Sequence, residues 1–211
     1  MQNKFMKGWY HAISTPWVSS FFLRRKSMKV FVIGGLAKTG KNTFGEYLRE
    51  ELKDYGYKPC VMHITEPLYA FAQNYFNWDG REENKPREFL QKMGIEIISE
   101  KMGKKDFLLK RLYEDIEILS NFFDTFIIVD ARLIREFEGI KNKYDDVTTI
   151  KLERKNYDAK LTTEEANHIT EKEILYYDKF DYTIENRSLA DLKNAALEVV
   201  RNEENGGGIN E

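Results

Sequence analysis

The chain of 211 residues contains one cysteine, three histidines and four prolines. A lone Cys60 excludes an internal disulfide framework and a cysteine-rich metal centre, and it fits a reducing, cytoplasmic compartment. Its surroundings, Pro59-Cys60-Val61-Met62-His63, read as a strand, so packing is the expected job of the thiol. His11, His63 and His168 form no HExxH pairing, and no Ser/His/Asp arrangement stands out, which leaves a zinc site and a hydrolytic triad unsupported. No stretch approaches the roughly 18 apolar residues needed to span a bilayer. Acidic and basic residues nearly cancel, 35 against 33, and a net charge of −2 does not suit a general binder of nucleic-acid polymers.

What is present is unevenly spread. Met1 to Ser27 carries Lys4, Lys7, Arg24, Arg25 and Lys26 with no acid, together with Trp9, Tyr10, Trp17, Phe21 and Phe22. It lacks the apolar core and small-residue cleavage site of a secretory signal. Residues 1–27 therefore read as a poorly ordered basic, aromatic leader, with an amphipathic membrane-surface segment as the alternative. Residues 28–201 read as one domain, and 202–211, with Gly206-Gly207-Gly208, as a flexible tail. The hydrophobic fraction of 42% is enough for a sizeable core.

Five short apolar runs predict strands: Lys29 to Ile33, Pro59 to Ile64, Thr125 to Val129, Val147 to Leu152 and Tyr182 to Glu185. Helical patterns separate them, which predicts an α/β fold with a five-stranded parallel sheet covered on both faces. Gly56 suits the end of the first helix, Pro86 the start of one through Phe89, Leu90, Met93 and Ile97, and Ser188 the start of the last. Two long connections, about 66–121 and about 155–181, are mostly helical in pattern and rich in charge. Inserts of this kind are where an α/β fold places parts that handle a ligand.

The stretch Gly35-Leu36-Ala37-Lys38-Thr39-Gly40-Lys41-Asn42-Thr43 lies between the first strand and a helix that carries Phe44, Tyr47, Leu48, Leu52 and Tyr55 on one face. Strand, glycine-rich turn and helix are the context of a phosphate-binding loop. Gly35 and Gly40 permit a tight turn and close approach of a ligand. Main-chain amides and the helix dipole then face an anion, and Lys41 reaches the β- and γ-phosphates of a nucleoside triphosphate. Asn42 stands where Ser or Thr commonly ligates Mg²⁺, and the hydroxyl comes one residue later at Thr43. Mg²⁺ held mainly through water and phosphates is compatible with this.

Four further groups of residues fit the same chemistry. Asp130 ends an apolar strand and is expected beside Mg²⁺, through water; a helix cap is the other reading. Arg132 follows two residues later and can fork onto phosphate oxygens, as can Arg154 at the end of the fourth strand. Lys85 and Arg87 flank Pro86 at a helix start, a placement suited to an incoming phosphate, with Gln91 one turn along to reach a base or sugar. His168 and Glu171 are three apart on a helix face in the second insert.

In this order the blocks resemble the deoxynucleoside monophosphate kinases of the phosphate-loop superfamily. The likeness rests on Gly35 to Thr43, Lys85-Pro86-Arg87-Glu88-Phe89-Leu90-Gln91-Lys92-Met93-Gly94, Asp130-Ala131-Arg132 with Glu136, and His168-Ile169-Thr170-Glu171 followed by Phe180-Asp181 and Ile184-Glu185-Asn186. It covers about Met28 to Val200. It implies a three-layer nucleotide-kinase fold, Mg²⁺ with ATP as phosphoryl donor, and a nucleoside 5′-monophosphate as acceptor. Lys41, Asp130, Arg132 and Arg154 would serve transfer, the first insert would bind the acceptor, and the second, with His168 and Glu171, would form a lid. Asn42 replaces a frequent Asp, and Tyr69 stands where the family often has lysine. Animal phosphomevalonate kinases share parts of the pattern. A phosphomevalonate or dephospho-coenzyme A acceptor, or a non-catalytic ATP-binding regulatory protein, are the competing expectations. Base, sugar and oligomeric state are not legible.

Overall fold

The computed structural model describes residues 28–155 and 169–206. The leader 1–27, residues 156–168 of the expected lid, His168 among them, and residues 207–211 lie outside the described residues.

The described chain runs β1 (Lys29–Gly34), α1 (Lys41–Asp54), β2 (Pro59–Met62), α2 (Glu66–Phe76), a 3₁₀ turn at Glu82–Asn84 and α3 (Arg87–Gln91). The winding then loosens to π over Lys92–Lys101 before α4 (Phe107–Leu119), β3 (Thr125–Ala131), α5 (Ile134–Lys143) and β4 (Asp146–Glu153). After the gap come α6 (Ile169–Lys172), a 3₁₀ turn at Glu173–Tyr176, β5 (Tyr182–Glu185) and α7 (Leu189–Gly206).

The strands form one sheet in the order β2-β3-β1-β4-β5, parallel at every pairing. β1 lies at its centre, with Lys29 opposite Thr125 of β3 on one edge and Asp146 of β4 on the other. A strand paired on both edges and covered on both faces has no wet side, so β1 and β3 are apolar at successive positions. Every residue of β3 is buried.

The strand period of two sorts these residues between two cores. Phe31, Ile33, Ile127 and Val129 pack with Phe44, Leu48 and Leu52 of α1 and with Leu192, Ala196 and Val199 of α7. Val30, Val32, Phe126 and Ile128 pack on the other face with Leu109, Leu112 and Ile116 of α4 and with Phe137 and Ile140 of α5. The result is the three-layer α/β architecture that the alternating pattern predicts. Fully buried aromatics such as Phe44 carry much of it, and truncating one to alanine costs about 3–5 kcal/mol.

The first insert has a small core of its own, in which Leu68 and Ala72 of α2 meet Leu90 and Ile98. α2 was not among the sequence-predicted helices, and no residue pattern announces the π winding. At the helix ends the sequence reads correctly. Gly56 takes the left-handed φ of 80° just beyond α1, and the Ser188 hydroxyl accepts from the Asp191 amide at 3.1 Å. α7 continues to Gly206, so the segment expected to be a flexible tail from Asn202 is helical over its first residues.

Candidate active site

The turn from β1 into α1 is held open by its glycines. Gly35 has φ 145°, and a Cβ there would lie 2.4 Å from the Leu152 carbonyl oxygen of β4. Gly40 has φ 98°, and a Cβ there would lie 2.7 Å from Asn186 Nδ2. Lys38 also has positive φ, 58°, although it is not glycine. The buried Thr39 hydroxyl donates to the Leu36 carbonyl at 3.0 Å, closing the turn on itself. α1 starts at Lys41 with no side-chain cap and no acid in its first turn, so the positive end of its dipole is not met by a carboxylate of its own. Asn42 is exposed there and Thr43 half-buried.

Lys41 is buried, and its ammonium donates to the carbonyls of Gly35 at 2.9 Å and Leu36 at 2.6 Å. Burial pulls it well below the usual lysine range. The Arg132 guanidinium adds to this, with smaller contributions from Lys85 and Arg87, against the opposing charge of Asp130. The four sequence-predicted cations at 41, 85, 87 and 132 thus share one electrostatic neighbourhood, although their segments are far apart in the chain.

A cleft of about 950 Å³, counting the open solvent at its mouth, is enclosed by the first insert and the β3–α5 junction. Lys85, Arg87, Gln91, Asp130 and Arg132 all line it, and so do Tyr69, Lys104, Lys105, Arg135 and Glu136. Leu68, Leu90, Ile95, Ile98 and Leu108 supply an apolar wall. An apolar wall with a few convergent polar groups is the lining expected of a small-molecule site.

Asp130 is occupied in a way its position at the strand end did not announce. One carboxylate oxygen accepts from the Ile64 amide at 2.7 Å, and the other from the Thr65 amide at 3.1 Å and from the Thr65 hydroxyl. The carboxylate thereby pins the chain where it leaves β2, at the floor of the cleft. Glu136 has a comparable role in the first turn of α5. Its Oε2 accepts from the amides of Arg132 at 2.8 Å and Leu133 at 3.0 Å. Burial lifts its pKa to about 7 in spite of these two bonds. Burial likewise lowers the part-buried Arg132 guanidinium, with Asp130 acting in the opposite direction.

Arg154 directly follows β4 and is exposed. Glu171 falls on α6. Two residues escaped the sequence analysis as parts of the site. Asn186 Nδ2 donates to the Thr39 carbonyl at 2.9 Å and so braces the loop. Glu173 Oε1 accepts from the Ile134 amide at 2.8 Å and ties the 3₁₀ turn after α6 to the start of α5. Asn186 stood in the Ile184-Glu185-Asn186 block of the resemblance with no role attached, and an acid in a short turn such as Glu173 carries no signal of its own. Among the described residues no group of three His, Cys, Asp or Glu side chains could by itself hold a metal ion. None of the described helices is long and apolar enough to cross a membrane.

Solved structures share this architecture. Shikimate kinase from Bacteroides thetaiotaomicron superposes with a TM-score of 0.51 at 13% identity, over 85% of this chain and 99% of that one. Shikimate kinase from Aquifex aeolicus gives 0.47 at 16% identity, over 85% and 99%. APS kinase of Mycobacterium tuberculosis, in complex with AMPPNP and APS, gives 0.46 at 13%, over 85% and 99%. No family model and no curated protein matches the chain. The chain shares the α/β fold of the Bacteroides thetaiotaomicron shikimate kinase.

Proposed function

We propose that this protein transfers the γ-phosphoryl group of ATP to a small phosphorylated acceptor, a nucleoside 5′-monophosphate and foremost a deoxynucleotide. The observation that carries this reading is the convergence of Lys85, Arg87 and Arg132 on one cleft and, electrostatically, on Lys41. Bringing like charges together is unfavourable unless anions, resident or incoming, offset them, and a cleft lined this way suits a phosphate. The order of the sequence blocks supports the nucleotide acceptor over phosphomevalonate or dephospho-coenzyme A, and Gln91 in the cleft can hydrogen-bond a base or sugar.

The chain's own residues do the following in this reading. Gly35 to Thr43 wrap the triphosphate with main-chain amides, and Lys41 exchanges its two carbonyl partners for phosphate oxygens. Lys85 and Arg87 hold the acceptor's phosphate, whose second pKa near 6 makes it a nucleophile at neutral pH without a general base. Arg132 and Arg154 offset charge on the migrating group. The first insert and the lid, His168 and Glu171 included, exclude water that would otherwise hydrolyse ATP. The donor set fits a cation carried in by the triphosphate rather than held in a cage, with Thr43, Asn42 and, through water, Asp130 as its protein neighbours. Mg²⁺ bound with ATP neutralises β- and γ-oxygens.

A panel of nucleoside monophosphates, phosphomevalonate and dephospho-coenzyme A, assayed for ADP formation, tests the proposal. Turnover with one or more nucleotides is expected. A flat response to every nucleotide ends the acceptor assignment, and ATP binding without turnover on any acceptor would mark a regulatory nucleotide-binding protein instead.

A further inference from the structure

Lys85 is gripped from two sides. Its ammonium donates to the Tyr69 hydroxyl at 2.9 Å and lies 4.6 Å from the centroid of that ring. On the other side it stands 3.4 Å from Glu82 Oε2. The second oxygen of the same carboxylate, Oε1, accepts from the Arg87 guanidinium. One acid therefore bridges the two cations that the proposed function assigns to the acceptor's phosphate. The side chains of Lys85 and Arg87 are 16% and 18% exposed, whereas that of Glu82 is 60% exposed. The carboxylate can turn into water at little cost, and the enclosed cations cannot.

The turn that carries Glu82 does not depend on those ion pairs. Asp79 accepts from the Arg81 amide at 3.0 Å, the Arg81 guanidinium at 2.8 Å and the Asn84 amide group at 2.9 Å. The Trp78 indole donates to the Arg81 carbonyl at 3.1 Å. Tyr69 is fixed as well, in edge contact with Trp78 at 5.6 Å and with His63 at 5.9 Å between ring centroids. The loop and the tyrosine can stay in place while one side chain leaves.

We infer that Glu82 is a built-in counter-ion which the acceptor's anion displaces, and that Tyr69 is a positioning residue that keeps Lys85 aimed into the cleft when Glu82 departs. This rests on the assignment of Lys85 and Arg87 to the acceptor. Because Glu82 vacates before any anion can bind, it weakens every incoming anion by one common factor, the fraction of protein in which the pair is open. A fixed charge that stayed nearby would instead disfavour a dianion more than a monoanion. Tyr69 acts with the opposite sign, since it holds the cation in both states.

The test is an NMR titration of the full-length protein with methyl phosphate and methyl sulfate at about pH 8, where the first is a dianion and the second a monoanion. Neither probe requires turnover. Glu82→Gln is expected to tighten both about three- to tenfold, by factors equal within about twofold. Tyr69→Phe is expected to weaken both by about threefold or more. In turnover assays Glu82→Gln then lowers the acceptor KM and leaves kcat within about twofold of the wild type. Unchanged or weaker binding in Glu82→Gln, tightening of the dianion alone, or a Tyr69→Phe effect of the same sign overturns the inference. If the probes respond as expected but no phosphomonoester is phosphorylated, the kinase reading fails while the displaced counter-ion stands.

Discussion

The side-chain amide of Asn186 touches the loop at two consecutive residues. It donates to the Thr39 carbonyl at 2.9 Å, and it is the group that a Cβ on Gly40 would strike at 2.7 Å. Residues from the two ends of the described chain thus define one turn. Gly40→Ala combines this clash with an unfavourable φ of 98°. It should weaken Mg·ATP binding by at least about tenfold. Asn186→Ala removes one hydrogen bond and should weaken it by about fivefold. Calorimetric titration checks both, and wild-type affinity in Gly40→Ala would contradict the loop assignment.

Lys41 now spends its ammonium on two carbonyls of the loop, Gly35 and Leu36. Lys41→Met keeps the volume and removes the charge that the proposed function assigns to the phosphates. Its kcat/KM should fall by about a hundredfold or more. Far-UV circular dichroism should be unchanged. Full turnover in this variant would remove the lysine from the mechanism.

Asp130 accepts from two amides and one hydroxyl across the β2–α2 junction. An asparagine offers only one acceptor oxygen, so its NH₂ group faces a main-chain N–H of Ile64 or Thr65. Asp130→Asn should lose about 1–3 kcal/mol of stability in urea unfolding. Thr65→Val, which leaves both amide bonds intact, should lose about 1 kcal/mol. A neutral Asp130→Asn would mean that the carboxylate does not pin this junction.

Glu136 gives a pH signature with a definite sign. Its carboxyl is raised from the ordinary 4.5 to about 7, chiefly by burial. The folded state therefore binds more protons than the unfolded one between those values, and stability falls as pH rises from about 4.5 to about 7. The contribution is complete below the lower value and absent above the upper one. Glu136→Gln cannot titrate, yet its amide oxygen can accept from the Arg132 and Leu133 amides. Its stability should be flatter across this window, as measured by thermal unfolding at half-unit pH steps. A slope equal to that of the wild type would assign the proton uptake to another group.

Much of the fold was legible because its strands are enclosed. Val30 to Ile33 and Phe126 to Val129 are covered on both faces, so burial leaves a continuous apolar run that sequence shows directly. The loop was legible because Gly35 and Gly40 occupy φ values that other residues resist. Lys38, at φ 58°, was not, since a lysine gives no sign of such strain. Lys85, Arg87 and Arg132 were recognisable as phosphate-seeking types, but only the fold could show that they line one cleft. The partners of Asp130, Ile64 and Thr65, lie in the β2–α2 junction 66 and 65 residues away, and the strand-plus-carboxylate pattern says nothing about them. Glu82 drew no reading from the sequence, because its ion pairs with Lys85 and Arg87 depend on the shape of a turn.

The packing of α1 against α7 has a consequence for how the protein comes into being. Phe44, Leu48 and Leu52 leave the ribosome well before Leu192, Ala196 and Val199, the side chains that line them. Between the two, β1 waits for β3 and then β4 before both of its edges are paired. A nascent or prematurely terminated chain therefore displays the greasy side of its first helix to the surrounding solvent and to chaperones. The apolar face of α1 is covered only once α7 has been made.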